Sequence, residues 1–305
     1  MDTLLLEGTN DRIKEKPKSK CIEISLANIC PITDPARQRS ALIQDTRNAL
    51  SDLLGDTVYL RRATALELEP SMIESIQGMR YMTFHLFKGW LIPSPDWTPT
   101  DEHPETSHHL LSNANGQIIA SARSSTSKIY PARNGHSPFE INHMTAFASL
   151  NTGKEAALSV VNEFEERYRI PEEGLTIGTI ERLTISPLAF PSLTSRQLLG
   201  ANMLLLSPLA LDAFALLRNV DVTVFQSDDA MTDLFRNTYG PNIQKILTTT
   251  QQRYRALIDR ADVAKHEVVE DACHTLVFNP LQLMHGVQSY NAPMYDAFCG
   301  IVDSL

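Results

Sequence analysis

LTIGTIERLTISPLAFPSLTSRQLLGANMLLL, residues 175–206, opens as strand material rich in Thr and Ile, breaks at Ser186-Pro187, crosses a loop carrying Pro191 and Ser192, and reopens as a helix from Thr194 or Ser195. Side chains alternate across a strand, so Leu175, Ile177, Thr179, Glu181, Leu183 and Ile185 are expected on one face. Glu181 then lies in a largely apolar row. Burial disfavours its charged form, and the site must supply a partner, a water or a catalytic reason. Past Arg196 the helix start offers unpaired backbone N–H groups, and Gly200 permits close approach of a ligand. The stretch predicts a strand carboxylate, a loop, and a helix terminus suited to an anion.

Upstream, Asp34-Pro35 reads as a cap followed by proline at the first helical position, with a helix running to Gly55. Val58 to Arg61 reads as a strand, SMIESIQGMRYMTFHLF from Ser71 as a helix, and Pro93 to Pro104 as a proline-rich loop. Ser107–Leu111 and Gln117–Ser125 flank Asn115-Gly116, the pattern of a β-hairpin. A helix is expected from Lys154 to about Tyr168. Downstream, Val220 to Gln226 reads as a strand, Asp228 to Asn237 as a helix capped by Ser227 or Asp228, and 243–263 as helical from about Gln251. Residues 7–20 read as a mobile polar tail, and the segment from Val268 to Leu305 gives no clear pattern beyond the apolar run Leu276–Phe278.

Bulk properties exclude several classes. The 305 residues, 43% hydrophobic and 21% charged, suit an ordinary globular protein. A net charge of −9 argues against broad nucleic-acid or anionic-membrane binding. Cys21, Cys30, Cys273 and Cys299 form no CxxC pair, so free thiols and a cytoplasmic setting are expected. No secretory signal is read at the N-terminus, and no run approaches the roughly 20 apolar residues that span a bilayer. His103, His108 and His109 make no recognisable metal set, because His108 and His109 would point to opposite faces of a strand. No metal is expected. Ser186, Ser192 and Ser195 lie in no GxSxG context.

The order strand, helix, hairpin, long middle strand, helix, strand, helix resembles the GNAT superfamily of N-acyltransferases, and within it the acyl-homoserine-lactone synthases and N-acyl amino acid synthases. The residues that carry the resemblance are Met79-Arg80, Phe84, Lys88-Gly89-Trp90, Asn115-Gly116-Gln117-Ile118-Ile119 leading to Arg123, Met144 and Phe147, Glu181-Arg182-Leu183, VTVFQ at 222–226, and Tyr239-Gly240-Pro241. It spans residues 58–243. The family's middle-strand glutamate stands three positions before the arginine, where this chain has Thr179. Its acidic pair spaced three apart after the Trp is replaced by Thr100-Asp101-Glu102-His103. The superfamily's phosphate loop is matched in its first half by Gln197-Leu198-Leu199-Gly200, with Asn202 at its last position.

The resemblance implies an α/β (α+β) fold: a GNAT-like three-layer α/β/α sandwich with a mixed, mainly antiparallel sheet and helical extensions. Residues 1–56 would form a tail and added helix, 57–255 the acyltransferase domain, and 256–305 a C-terminal extension. It implies an enzyme moving an acyl group from acyl-CoA or an acyl carrier protein to the amine of a small amino-acid-like acceptor, by direct attack. Backbone N–H groups around Ile185 would bind the thioester carbonyl, and Arg196, Gln197, Leu199 and Gly200 the donor's phosphate. Glu181 would accept the proton, or else stand in a structural ion pair. Tyr239 is the candidate acid, since Phe235 near the usual tyrosine position has no proton to donate. Arg123 and Arg182 would hold a substrate carboxylate or brace the sheet, and Asp101 and Glu102 a substrate cation or be solvated acids. Trp90 and Phe84 would line the pocket or be plain core. A carrier protein, being acidic, would meet Arg196 with Lys245, Arg253 or Arg255. Two other functions stay open: acylation of a peptide or protein, and a silent member that only binds an acyl thioester or a partner protein.

Overall fold

Eight strands form one sheet in the order β1-β2-β3-β4-β5-β6-β8-β7. They are β1 (Cys21–Ser25), β2 (Thr57–Ala63), β3 (Ser107–Ser112), β4 (Ile118–Ile129), β5 (Leu175–Ile185), β6 (Val222–Ser227), β7 (Gln244–Ala256) and β8 (His266–Phe278). The structure, a computed structural model, describes residues 21–25, 37–87, 96–131, 162–186, 188–190, 192–194, 197, 201, 205, 220–229, 232–233, 236, 243–256 and 266–279. Only β5 and β6 pair in parallel; the other neighbours are antiparallel. The sheet takes in β1 and β8, on either side of the segment 57–255.

Helices cover both faces. Helix α1 (Arg37–Leu54) lays Leu50 and Leu54 on Val58, Leu60 and Leu111, joined by Ala201 and Leu205 of the helical segment after β5. Its end is set by Gly55, whose φ of +77° suits the left-handed conformation that closes a helix, with the Gly55 N–H donating to the Ser51 carbonyl at 2.9 Å. On the opposite face, α2 (Pro70–Arg80) buries Ile76 against Ala63, Leu68 and Leu110. Pro70 opens α2, where its missing N–H is no loss. Residues 162–168 form a helix on the same face as α2, packing Phe164 onto Ile129, Ile177, Val222, Val224 and Val277. This is the expected α/β/α layering with a mixed, mainly antiparallel sheet. No helix among the described residues is long and apolar enough to cross a membrane.

The β3–β4 hairpin turns where Asn115-Gly116 predicts it. Gly116 sits at φ +77°, and the Asn113 Oδ1 accepts the N–H groups of Asn115 and Gln117 at 3.1 and 3.0 Å. Two expectations are corrected. Residues 251–256 are strand, not helix, and the rest of that expected helix lies outside the described residues: β7 runs to Ala256 and pairs with β8 along its length, a long-range ladder that overrides the local pattern of Gln and Arg. The face row of β5 also breaks after Glu181. Arg123 pairs with Glu181 and Ser121 with Thr184, so two residues of β5 stand against one of β4, and Thr184 rather than Leu183 shares the face of Glu181.

Candidate active site

The extra residue in β5 is absorbed at Arg182, which adopts φ +54°, a left-handed conformation disfavoured for a residue bearing a Cβ. The bulge coincides with a change on the strand's other side. Parallel pairing with β6 runs from Ile177–Val222 to Ile180–Phe225 and stops, although β5 continues to Ile185 and β6 to Ser227. The two strands therefore part beside Glu181. At the end of β5, the Ile185 carbonyl accepts the Thr83 hydroxyl at 3.2 Å, and the Ser186 N–H donates to the Ile119 carbonyl at 2.8 Å. Thr83 lies in the π-helical stretch Tyr81–Phe87 that continues α2, and this widened turn also carries Phe84.

A charged cluster fills the space between this strand and α2. Arg123 is its centre. Its Nε donates to Glu181 Oε2 at 3.1 Å, its Nη2 is ion-paired to the same oxygen, and its Nη1 lies 2.7 Å from Asp101 Oδ2 and 3.1 Å from Thr98 Oγ1. The other Asp101 oxygen takes Arg80 Nη1 at 2.8 Å, and the Thr98 N–H donates to Oδ2 at 2.8 Å. Arg80, Asp101 and Arg123 are essentially sealed from solvent. Burial opposes ionisation of each. For Asp101, burial pushes the carboxyl up, and Arg80 and Arg123 more than reverse it, leaving it well below the usual carboxylate range. For Arg123, burial works against the charge, but Glu181 and Asp101 hold the guanidinium above its ordinary value. Arg80 is pushed down by burial, with the like charge of Arg123 adding to it against Asp101 and Asp96.

His108 stands opposite Arg123 in the β3–β4 register and completes the cluster. Its Nε2 lies 2.9 Å from the Asp101 carbonyl, which only accepts, so the ring hydrogen is on Nε2 and the lone pair on Nδ1. The ring stacks on Trp97 at 5.0 Å between centroids, and Arg80 lies 5.7 Å from the Trp97 ring centre. Burial, with Arg80 and Arg123 nearby, lowers the His108 pKa from 6.5 to about 4 and keeps it neutral. Arg182 turns the other way, its Nη2 reaching 3.1 Å from Asp96 Oδ1 and its guanidinium lying 5.6 Å from the Phe84 ring centre. Several buried polar atoms here make no hydrogen bond among the described residues: Arg80 Nε and Nη2, Arg182 Nε, Asp96 Oδ2 and His108 Nδ1, while Asp96 Oδ1 has its ion pair with Arg182. Donors and acceptors are both among them.

Among the candidates from sequence, Glu181, Arg123, Arg182, Asp101 and Phe84 come together, with Ile185 at the end of β5. Glu102 is exposed, apart from its neighbour Asp101. Gln197 is occupied differently. Its Oε1 accepts the Thr194 N–H at 3.0 Å and its own N–H donates to Thr194 Oγ1 at 3.3 Å, a reciprocal cap with Thr194 as the first residue. Trp90, Arg196, Leu199, Gly200 and Tyr239 lie outside the described residues, as do the side chains of Arg253 and Arg255, while Lys245 is exposed on β7. His109 bonds Ser124 Oγ at 2.7 Å, away from His108's partners. Among the described residues, no group of three or more His, Cys, Asp or Glu is placed to hold a metal ion. Arg80, Asp96, Trp97, Thr98 and His108 join the cluster without any sequence motif that marks them for it. Arg80 had a signal: a guanidinium beside Met79 on the apolar side of α2 needs a buried carboxylate.

An antiparallel run β2 to β5, one parallel pair that parts at its end, and β8 inserted between β6 and β7 make up the mixed, mainly antiparallel α/β sheet. Among solved structures, the chain is similar to FeeM, an N-acyl amino acid synthase from uncultured soil microbes, at 10% identity over 76% of this chain and 96% of that one, with a TM-score of 0.45. It is similar to the AHL synthase LasI at 15% identity, 72% and 89% coverage and a TM-score of 0.36. It is also similar to the ribosomal-protein-S18-alanine N-acetyltransferase from Escherichia coli at 11% identity, 72% and 93% coverage and a TM-score of 0.34. No family model and no curated protein matches the sequence.

Proposed function

We propose that the chain is an N-acyltransferase that moves an acyl group from an acyl thioester, on coenzyme A or an acyl carrier protein, to the amine of a small amino-acid-like acceptor. The observation that carries this is the parting of β5 from β6 beside Glu181, at a bulge, next to a buried cluster with unfilled donors and acceptors. Parted strands leave backbone groups and a slot for an extended pantetheine arm. The acceptor amine attacks the thioester carbonyl carbon, the C–N bond forms and the C–S bond breaks. Glu181, directly or through water, takes the amine proton, and the thiolate leaves to be protonated. Of this cluster Arg182 is the partly exposed guanidinium, and its planar donors match a substrate carboxylate.

One observation favours the silent-binder alternative: Glu181 Oε2 already carries the Arg123 bonds. Thiol release from acyl-coenzyme A and acyl carrier protein, followed against a panel of amines, separates the alternatives. Release with a small amine supports the proposal, release only with a peptide supports protein acylation, and tight donor binding without release supports a silent binder. A protein that binds no acyl thioester sinks all three.

A further inference from the structure

On the face of the sheet opposite Glu181, His274 lies on β8 between two strands, paired in register with Ser227 of β6 and with Thr248 of β7. The imidazole is nearly closed to solvent, and both ring nitrogens are engaged. Nε2 is 2.6 Å from Asp229 Oδ1, in the helical residues after β6, and Nδ1 is 3.0 Å from Thr248 Oγ1. A carboxylate only accepts, so Nε2 carries the hydrogen; in the neutral ring Nδ1 keeps its lone pair, and the Thr248 hydroxyl donates to it. Ser227 does not compete, because its Oγ lies 2.6 Å from Thr232 Oγ1. Thr248 itself is exposed, just past a bulge between Lys245 and Leu247, and bulges re-aim the side chains that follow them.

We propose that Thr248 is the nucleophile of a second, acyl-accepting site, with His274 as its base and Asp229 as the residue that orients the base. A hydroxyl on an imidazole whose far nitrogen is fixed by a carboxylate is the arrangement that activates an alcohol for attack. An electrophile reaches the exposed hydroxyl while the ring stays screened. The substrate class is an activated acyl group, a thioester or reactive ester. The Thr248 Oγ1–carbon bond forms and the carbon–sulfur or carbon–oxygen bond breaks. The hydroxyl proton passes to His274 Nδ1 and on to the leaving group, giving a threonine ester. The site is independent of N-acyl transfer, since no amine takes part.

The test treats the full chain with a fluorophosphonate probe, in which the hydroxyl forms an oxygen–phosphorus bond and fluoride leaves, and maps adducts by peptide mass spectrometry. The expected result is an adduct on Thr248, none at that position in Thr248→Val, and a rate at least as fast in Thr248→Ser. Labelling should slow in Asp229→Asn, and in His274→Gln by about 100-fold or more, the scale of general-base catalysis. Asp229 is 79% exposed, so its variant leaves the core intact; should His274→Gln fail to fold, Thr248→Val and Asp229→Asn decide. No adduct on Thr248, or labelling of Thr248 at the wild-type rate in Asp229→Asn, overturns the proposal.

Discussion

Arg123 of β4 and Glu181 of β5 stand directly opposite one another in the sheet and are joined by a salt bridge that Asp101 extends from a loop. One guanidinium thus serves two acids. Removing it takes the Arg123 bonds from Glu181 and leaves Asp101 to Arg80 and Thr98, in a site where Arg123 is only 2% exposed. Arg123→Met should lower unfolding stability by about 3–5 kcal/mol. Urea unfolding checks this, and a loss below about 1 kcal/mol would mean the acids find other partners.

His108 gives a pH dependence of defined sign. Its folded pKa of about 4 lies below the ordinary 6.5, so as pH falls through that interval the unfolded chain binds a proton that the folded chain refuses. Stability should therefore decline between about pH 6.5 and 4, by an amount on the order of 3 kcal/mol from this residue. Urea midpoints measured across that range should fall more steeply for the wild type than for His108→Phe, which keeps an aromatic ring against Trp97. Equal slopes would contradict it.

Asp101 is lowered in the same direction and also loses its contribution in acid. Its folded pKa is depressed, so its contribution is complete above the unfolded carboxylate value near 3.9 and is lost as pH drops further. Asp101→Asn should lower stability at pH 7 and flatten the decline below about pH 4. A variant whose acid limb matches that of the wild type would remove Asp101 from the account.

The reciprocal bonds between Thr194 and Gln197 set the start of the helix after β5. Thr194→Ala should cost about 1 kcal/mol and lower the melting temperature by a few degrees. No change in the melting curve would mean that the cap contributes nothing to stability.

Much of this fold was legible locally. Asn115-Gly116 marked the hairpin because few residue pairs accept its backbone angles, and the alternation in 175–181 marked β5. The polar, arginine-bearing sequence of β7 hid a strand, since its conformation is set by pairing with β8 rather than by its own propensity. Glu181 in an apolar row correctly called for a partner. That partner, Arg123, is 58 positions away and becomes visible only through the β4–β5 register. Asp101 and Glu102 look alike in sequence, yet only Asp101 turns inward, because Arg80 and Arg123 converge on it. A two-residue bulge cannot be read from alternation either, and it moved Thr184 onto the face assigned to Leu183.

Glu181 is the proposed proton acceptor, and Glu181→Gln keeps its shape while removing its basicity. The variant should bind acyl donor as the wild type does and turn over about 100-fold or more slowly. Undiminished turnover would reduce Glu181 to a structural ion pair.

Mass spectrometry of products tests the central claim most directly. The purified protein is incubated with acyl-coenzyme A or acyl carrier protein and a mixture of amino acids and small amines. N-acyl transfer predicts a new amide whose mass equals the acceptor plus the acyl group less one hydrogen, formed with stoichiometric thiol release and sharply reduced in Glu181→Gln. Donor that binds tightly but yields no amide with any amine would contradict it.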